Sequence, residues 1–249
     1  MGATDVTGEQ TRPAFYAARP GGHRDWWTVL HPPYTAWHLG YVVIGACLAP
    51  HVRLDRLVAA LIAFFLAVGV AAHALDELHG RPLGTAIPTR VLLGAAVVGL
   101  AGAVALGIVG VTRVGWGLVP CIVVGPVLVI AYNAELFGGI VHTDLGFALG
   151  WGAFPLLTAY VAETGSVSLA AALGAAGATF LSLAQRSLST PARQLRRRTA
   201  AVDGTITALD GAVTPLDRSA LLRPLECGLR TMTFAVVLGA AALAVARLG

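Results

Sequence analysis

The sequence predicts an all-α integral membrane protein, a bundle of about seven transmembrane helices, and three observations carry that prediction. The first is composition: of 249 residues, 56% are hydrophobic and 12% charged, with a mean hydropathy of +0.74. A soluble domain carries about 25% charged residues, so this chain has too little polar surface to face water. The second is the recurrence of apolar runs near the ~20 residues that a bilayer core demands of a helix. The third is the distribution of arginine between the two ends of those runs.

In chain order, residues 1–27 are polar, rich in Pro and Gly, and contain no apolar run, which predicts a flexible cytoplasmic tail and not a signal peptide. Residues 28–249 form the bundle, with spans predicted over 34–50, 57–75, 88–111, 116–137, 144–162, 167–188 and 228–248. The first span is short, and Trp26, Trp27, Tyr34 and Trp37 supply interfacial anchors for it. Small residues inside the spans, as in Gly94-Ala95-Ala96, let helices approach closely where lipid removes the hydrophobic drive for association. The long connection 189–229 reads either as a cytoplasmic amphipathic helix on anionic lipid or as a weakly apolar hairpin that would raise the helix count to nine.

There is no lysine, so all 17 basic side chains are arginines. With the N-terminus in the cytoplasm, thirteen fall on that side, and Arg53, Arg56, Arg113 and Arg247 fall on the other. This positive-inside asymmetry orients the chain in the plasma membrane with its N-terminus cytoplasmic. It also accounts for the net charge of +4 without a nucleic-acid surface, because no aromatic residues interleave with the arginines. Cys47, Cys121 and Cys227 lack the spacing of a disulfide framework or a zinc knuckle.

The ionisable groups gather at the cytoplasmic helix ends. His31 and His38 open the first span; His73, Asp76, Glu77 and His79 close the second; Glu135 closes the fourth; His142 and Asp144 open the fifth; Gln185 and Arg186 close the sixth. Charges at membrane depth cost about 2.5–3.5 kcal/mol each on insertion scales, so their convergence predicts a polar cavity facing the cytoplasm. His73 shares a helix face with Asp76 and Glu77 at spacings of three and four, where imidazole and carboxylate can share a divalent cation with His79, Glu135 and His142. Arg81 is placed to meet an anionic substrate. Tyr132 and Asn133 either line the cavity or bond between helices, His38 either packs or binds, and Asp144 either serves the site or caps its helix.

The segment Ala72-His73-Ala74-Leu75-Asp76-Glu77-Leu78-His79-Gly80-Arg81-Pro82-Leu83 resembles the first Asp-rich motif, N-x-x-x-D-x-x-x-D followed by R-P-L, of the UbiA superfamily of intramembrane prenyltransferases. His31-Pro32-Pro33-Tyr34-Thr35-Ala36-Trp37 resembles the family's opening segment, and 144–152 resembles its glycine-rich fifth helix. The likeness covers about 27–198. Several features depart from the pattern: His73 and Glu77 stand where the motif has Asn and its first Asp, and Gly80 or Arg81 stands near the second Asp. The stretch 185–193 holds no acid where a second Asp-rich motif belongs, and the superfamily has nine helices against seven here. The resemblance implies a UbiA-like fold, Mg²⁺ as cofactor, and a prenyl diphosphate or other isoprenoid lipid as partner, transferred to an acceptor or cyclised. It makes Asp76, Glu77, Glu135 and Asp144 the catalytic carboxylates, and Arg81, Arg186 and Arg193 the diphosphate contacts. Two alternatives stand beside it. The histidines favour a non-haem iron or zinc enzyme acting on a lipid, and the same cavity suits a lipid carrier or membrane subunit without catalysis.

Overall fold

The computed structural model describes residues 12–249; the part of the predicted tail over 1–11 lies outside them. A short helix α1 (His23–Val29) leads into seven long ones: α2 (Pro32–Cys47), α3 (Leu54–Leu78), α4 (Thr89–Val114), α5 (Trp116–Asn133), α6 (Asp144–Thr164), α7 (Leu169–Arg197) and α8 (Arg218–Leu248). Each predicted span falls within or across one of these. Five of them, α3, α4, α5, α6 and α8, are long and apolar enough to cross a membrane. The other two depart for separate reasons. Helix α2 has 16 residues, about 24 Å at 1.5 Å per residue, and α7 couples an apolar first half to a polar, arginine-rich second half.

Helix α2 can be short because it is the inner helix. Trp37, Tyr41, Val42 and Ala46 are fully covered, and α2 packs most extensively on α8 and α6. The α6 contact is backbone against backbone: a Cβ on Gly45 would stand 2.1 Å from the Leu156 carbonyl oxygen, so only glycine permits it. Helices α4 and α5 lie outside and present Val91, Val97, Val98, Val123 and Val127 outward. Exposed apolar side chains along helices of satisfied backbone are what lipid solvates.

The helices alternate in direction. At one end Arg247 donates to the carbonyls of Ala49 and Pro50, and Arg56 donates to those of Glu163 (2.7 Å) and Arg113 (2.6 Å). These bonds gather all four minority arginines' segments at one end, apart from Arg186, Arg193 and Arg196–Arg198 at the other.

The connection 189–229 is neither an amphipathic surface helix nor an extra membrane hairpin. Helix α7 continues to Arg197, an antiparallel hairpin pairs β1 (Thr205–Thr207) with β2 (Val213–Pro215), and α8 begins at Arg218. Gly204 and Gly211 break the polar stretch into that hairpin, and Asp217 caps α8 by accepting from the Ala220 N–H at 2.7 Å. The predicted tail differs as well. From residue 12 onward it lies on the bundle, with Ala14 and Ala17 buried.

Two π-helical segments, Phe65–Ala72 in α3 and Leu149–Ala153 in α6, interrupt the regular helices just below the arginine-rich end. Such segments recur at functional sites because they free carbonyls for side chains, and here each does so.

Candidate functional site

A cavity of about 790 Å³ opens at the arginine-rich end, enclosed by residues 13–16, the turn at His31 and the facing ends of α2, α3, α5, α6 and α7. His38, His73, Asp76, His79 and Glu135 line it. Tyr132, Asn133, His142, Arg186 and Arg193 line it too. Three predicted site residues stand apart, each for a local reason.

Glu77 is fully buried and turned away. Its carboxylate accepts the Leu83 N–H (2.9 Å), the Thr85 N–H (2.9 Å) and the Thr85 hydroxyl (2.8 Å). It organises the loop after α3, with both oxygens engaged there. Arg81 takes a left-handed φ of 53° and donates to the Ile87 carbonyl (2.6 Å) and the Thr89 hydroxyl (2.9 Å) in that same loop. Asp144 pairs with Arg186 at 2.7 Å, while Thr143 caps α6 by accepting from the Gly146 N–H at 3.0 Å, so Asp144 is neither cap nor cavity carboxylate.

Three cavity histidines share one arrangement. His73 Nδ1 meets the Gly69 carbonyl at 3.1 Å, His38 Nδ1 the Trp151 carbonyl at 2.8 Å, and His142 Nδ1 the Tyr132 carbonyl at 3.0 Å. A carbonyl only accepts, so each Nδ1 is the donor, which leaves Nε2 as the nitrogen turned to the cavity. Gly69 and Trp151 belong to the π-helical segments.

His31, on which the sequence reading built no role, is the most constrained of the set. It holds a left-handed φ of 47° at the start of α2, its ring stacks on His73 at 4.4 Å, and Tyr16 hydrogen-bonds its Nδ1. Its Nε2 is buried with no partner among the described residues. Burial, and then His73, hold the His31 imidazole well below its usual pKa, and burial, then Tyr34, push the Tyr16 phenol up. The signal for His31 was Pro32-Pro33 after it; Tyr16, on a polar segment without periodicity, offered none.

The floor of the cavity is aromatic. Phe147 and Trp151 lie parallel at 5.8 Å, Trp151 meets Tyr132 at 4.4 Å, and the Arg186 guanidinium sits 5.2 Å over Phe147. Helix α7 forms the basic wall, because Arg186, Arg193 and Arg197 recur at helical spacing along one face. Arg196 on the same wall is held in a buried ion pair with Glu226, Nη2 to Oε2 at 2.9 Å. Arg197 donates to the Pro13 carbonyl at 3.1 Å. Arg193 bonds only the Thr190 hydroxyl, at 3.5 Å, and has no ion-pair partner among the described residues. Burial, and then Arg186, lower its pKa. Across from it, Asp76 makes no hydrogen bond or ion pair among the described residues.

The predicted metal set does not assemble. Among the described residues, no group of three or more His, Cys, Asp or Glu side chains is arranged to hold a metal ion. Local bonding disperses it: Glu77 serves the loop, Asp144 serves Arg186, and His142 lies 3.9 Å from Glu135 at the rim while stacking on Tyr132.

Fold and site together define an all-α membrane protein with a basic, histidine-lined cavity at one end. Comparison with family models, with curated proteins and with solved structures finds no match.

Proposed function

We propose that the chain is an intramembrane enzyme of UbiA-like architecture that takes the diphosphate of an isoprenoid lipid into this cavity and transfers or cyclises the prenyl group. The observation carrying the reading is Arg193, a half-buried cation flanked by Arg186 and Arg197 with no carboxylate of its own. A guanidinium with no ion-pair partner among the described residues, set beside two others, fits an added oxyanion. The unpartnered His31 Nε2 is a further polar atom available to such a ligand.

Chemistry follows from the placement. When the allylic C–O bond breaks, its electron pair leaves on the diphosphate oxygen, and charge grows there against Arg193, Arg197 and Arg186. The carbocation left behind faces Phe147, Trp151 and Tyr132, whose ring faces stabilise positive charge. Asp76 is the base to accept the proton released when the cation collapses or an acceptor is alkylated. The resemblance implies Mg²⁺, but among the described residues these side chains do not form a site for it.

Seven spans belong to the same reading, with α2 and α7 crossing in company. The N-terminus is then cytoplasmic and the cavity faces the cytoplasm of the cell membrane.

The test is release of inorganic diphosphate from geranylgeranyl diphosphate by purified protein, with and without added Mg²⁺, alongside metal analysis. Release that Arg193→Gln slows by about tenfold or more supports the reading. The shared histidine arrangement favours a second one, because a backbone-anchored Nδ1–H with Nε2 open is how metal-ligating histidines are held. Stoichiometric iron or zinc, with the diphosphate untouched, would establish that alternative and refute the first. Neither metal nor turnover would leave a lipid carrier or membrane subunit.

A further inference from the structure

A second hollow, of about 420 Å³, lies between α3, α4, α5 and α6 toward the end opposite the polar cavity. Its size falls within the roughly 300–1,000 Å³ of small-ligand pockets. Small side chains create it, including Ala59, Ala63 and Ala67 on one wall and Gly125 on another, and Phe154 and Trp151 close its inner end. Two of its walls are α4 and α5, helices little buried inside the bundle, so it adjoins the hydrocarbon layer.

Its outer rim is basic. Arg56 and Arg113 line it together with Asp55, but Asp55 is already paired with Arg53 at 3.7 Å. Arg56 uses both terminal nitrogens on backbone carbonyls, and its Nε is buried with no acceptor among the described residues. The Arg113 guanidinium is exposed and makes no hydrogen bond or ion pair among the described residues. An apolar hollow continuous with lipid, under two cations and a donor lacking an oxygen, fits one ligand chemistry. We infer that the hollow binds an anionic phospholipid of the leaflet opposite the polar cavity, one acyl chain inside and its phosphate at Arg56 and Arg113. The site is separate from the diphosphate cavity, and Trp151 is their common wall.

The experiment reconstitutes the protein in nanodiscs of equal phosphatidylcholine and phosphatidylglycerol and measures retained lipid by native mass spectrometry. Wild type is expected to retain phosphatidylglycerol over phosphatidylcholine by about tenfold, the factor that ~1.4 kcal/mol produces. Arg113→Gln, at an exposed position, should keep the wild-type melting temperature and reduce that preference several-fold. Ala63→Trp fills the hollow and should abolish retention of both lipids. Equal retention of the two lipids by wild type, an ordinary lipid annulus only, overturns the inference. So does unchanged retention by Arg113→Gln, or by Ala63→Trp that melts cooperatively. Diphosphate release is not used, so failure here leaves the proposed reaction standing.

Discussion

Replacing Arg193 with Gln separates binding from stability in a way few substitutions at this site can. In the wild-type chain the guanidinium is half buried, faces Arg186 and Arg197, and has only a 3.5 Å bond to Thr190. Glutamine keeps comparable length and a donor while removing the charge. For the folded protein without ligand, that relieves like-charge repulsion and desolvation, so the melting temperature should hold or rise. For a bound diphosphate it removes a charge-assisted hydrogen bond, worth about 1.5–3 kcal/mol, or roughly 10- to 150-fold in affinity. Arg196→Gln provides the contrast, because it strands Glu226 in a buried ion pair, a loss of about 3–5 kcal/mol in stability. The assay is thermal unfolding in detergent, paired with radiolabelled geranylgeranyl diphosphate binding at low and high salt. A drop in melting temperature for Arg193→Gln comparable to that of Arg196→Gln would mean that the arginine serves the fold. Unchanged diphosphate affinity would remove the anion from the reading.

Glu77→Gln should cost about 2–4 kcal/mol of stability, since a buried carboxylate with three donors loses charge and half its acceptors; a variant that keeps wild-type melting but loses metal or turnover would return Glu77 to the site. His31 has a folded pKa below its unfolded value near 6.5, so the unfolded chain binds more protons as pH falls. Stability should therefore decline below about pH 6.5, by at most ~1.4 kcal/mol per pH unit from this group, and melts of His31→Gln should show a shallower decline; identical slopes would show that His31 is not held neutral. A reporter fused after Gly249 should be active only outside the cytoplasm, because seven spans invert the termini; cytoplasmic activity would remove α2 or α7 from the membrane.

What the sequence determined alone is the set of quantities that depend on runs and sums. The positions of α3, α4, α5, α6 and α8 follow from apolar length, and the ends that gather charge follow from arginine placement, because the bilayer acts on local hydrophobicity. That His73, Asp76, His79, Glu135, His142 and Arg186 lie toward one end was legible for the same reason: helices alternating in direction bring their like-sided ends together. Which group faces the cavity was not legible. Asp76 and Glu77 are neighbours in sequence and both acidic, yet about 100° of helical rotation separates them. That rotation leaves Asp76 facing the cavity, while the unsatisfied N–H groups of Leu83 and Thr85 capture Glu77. Asp144 was likewise claimed by Arg186, 42 residues away. Tyr16 entered, and His31 gained its partner, only when residues 12–16 lay down across the helix ends, held by bonds such as Arg197 to the Pro13 carbonyl, 184 residues apart. Hydrophobic length is a property of the chain, but the partner of a buried polar group is decided by whichever complementary atom the packed helices bring nearest.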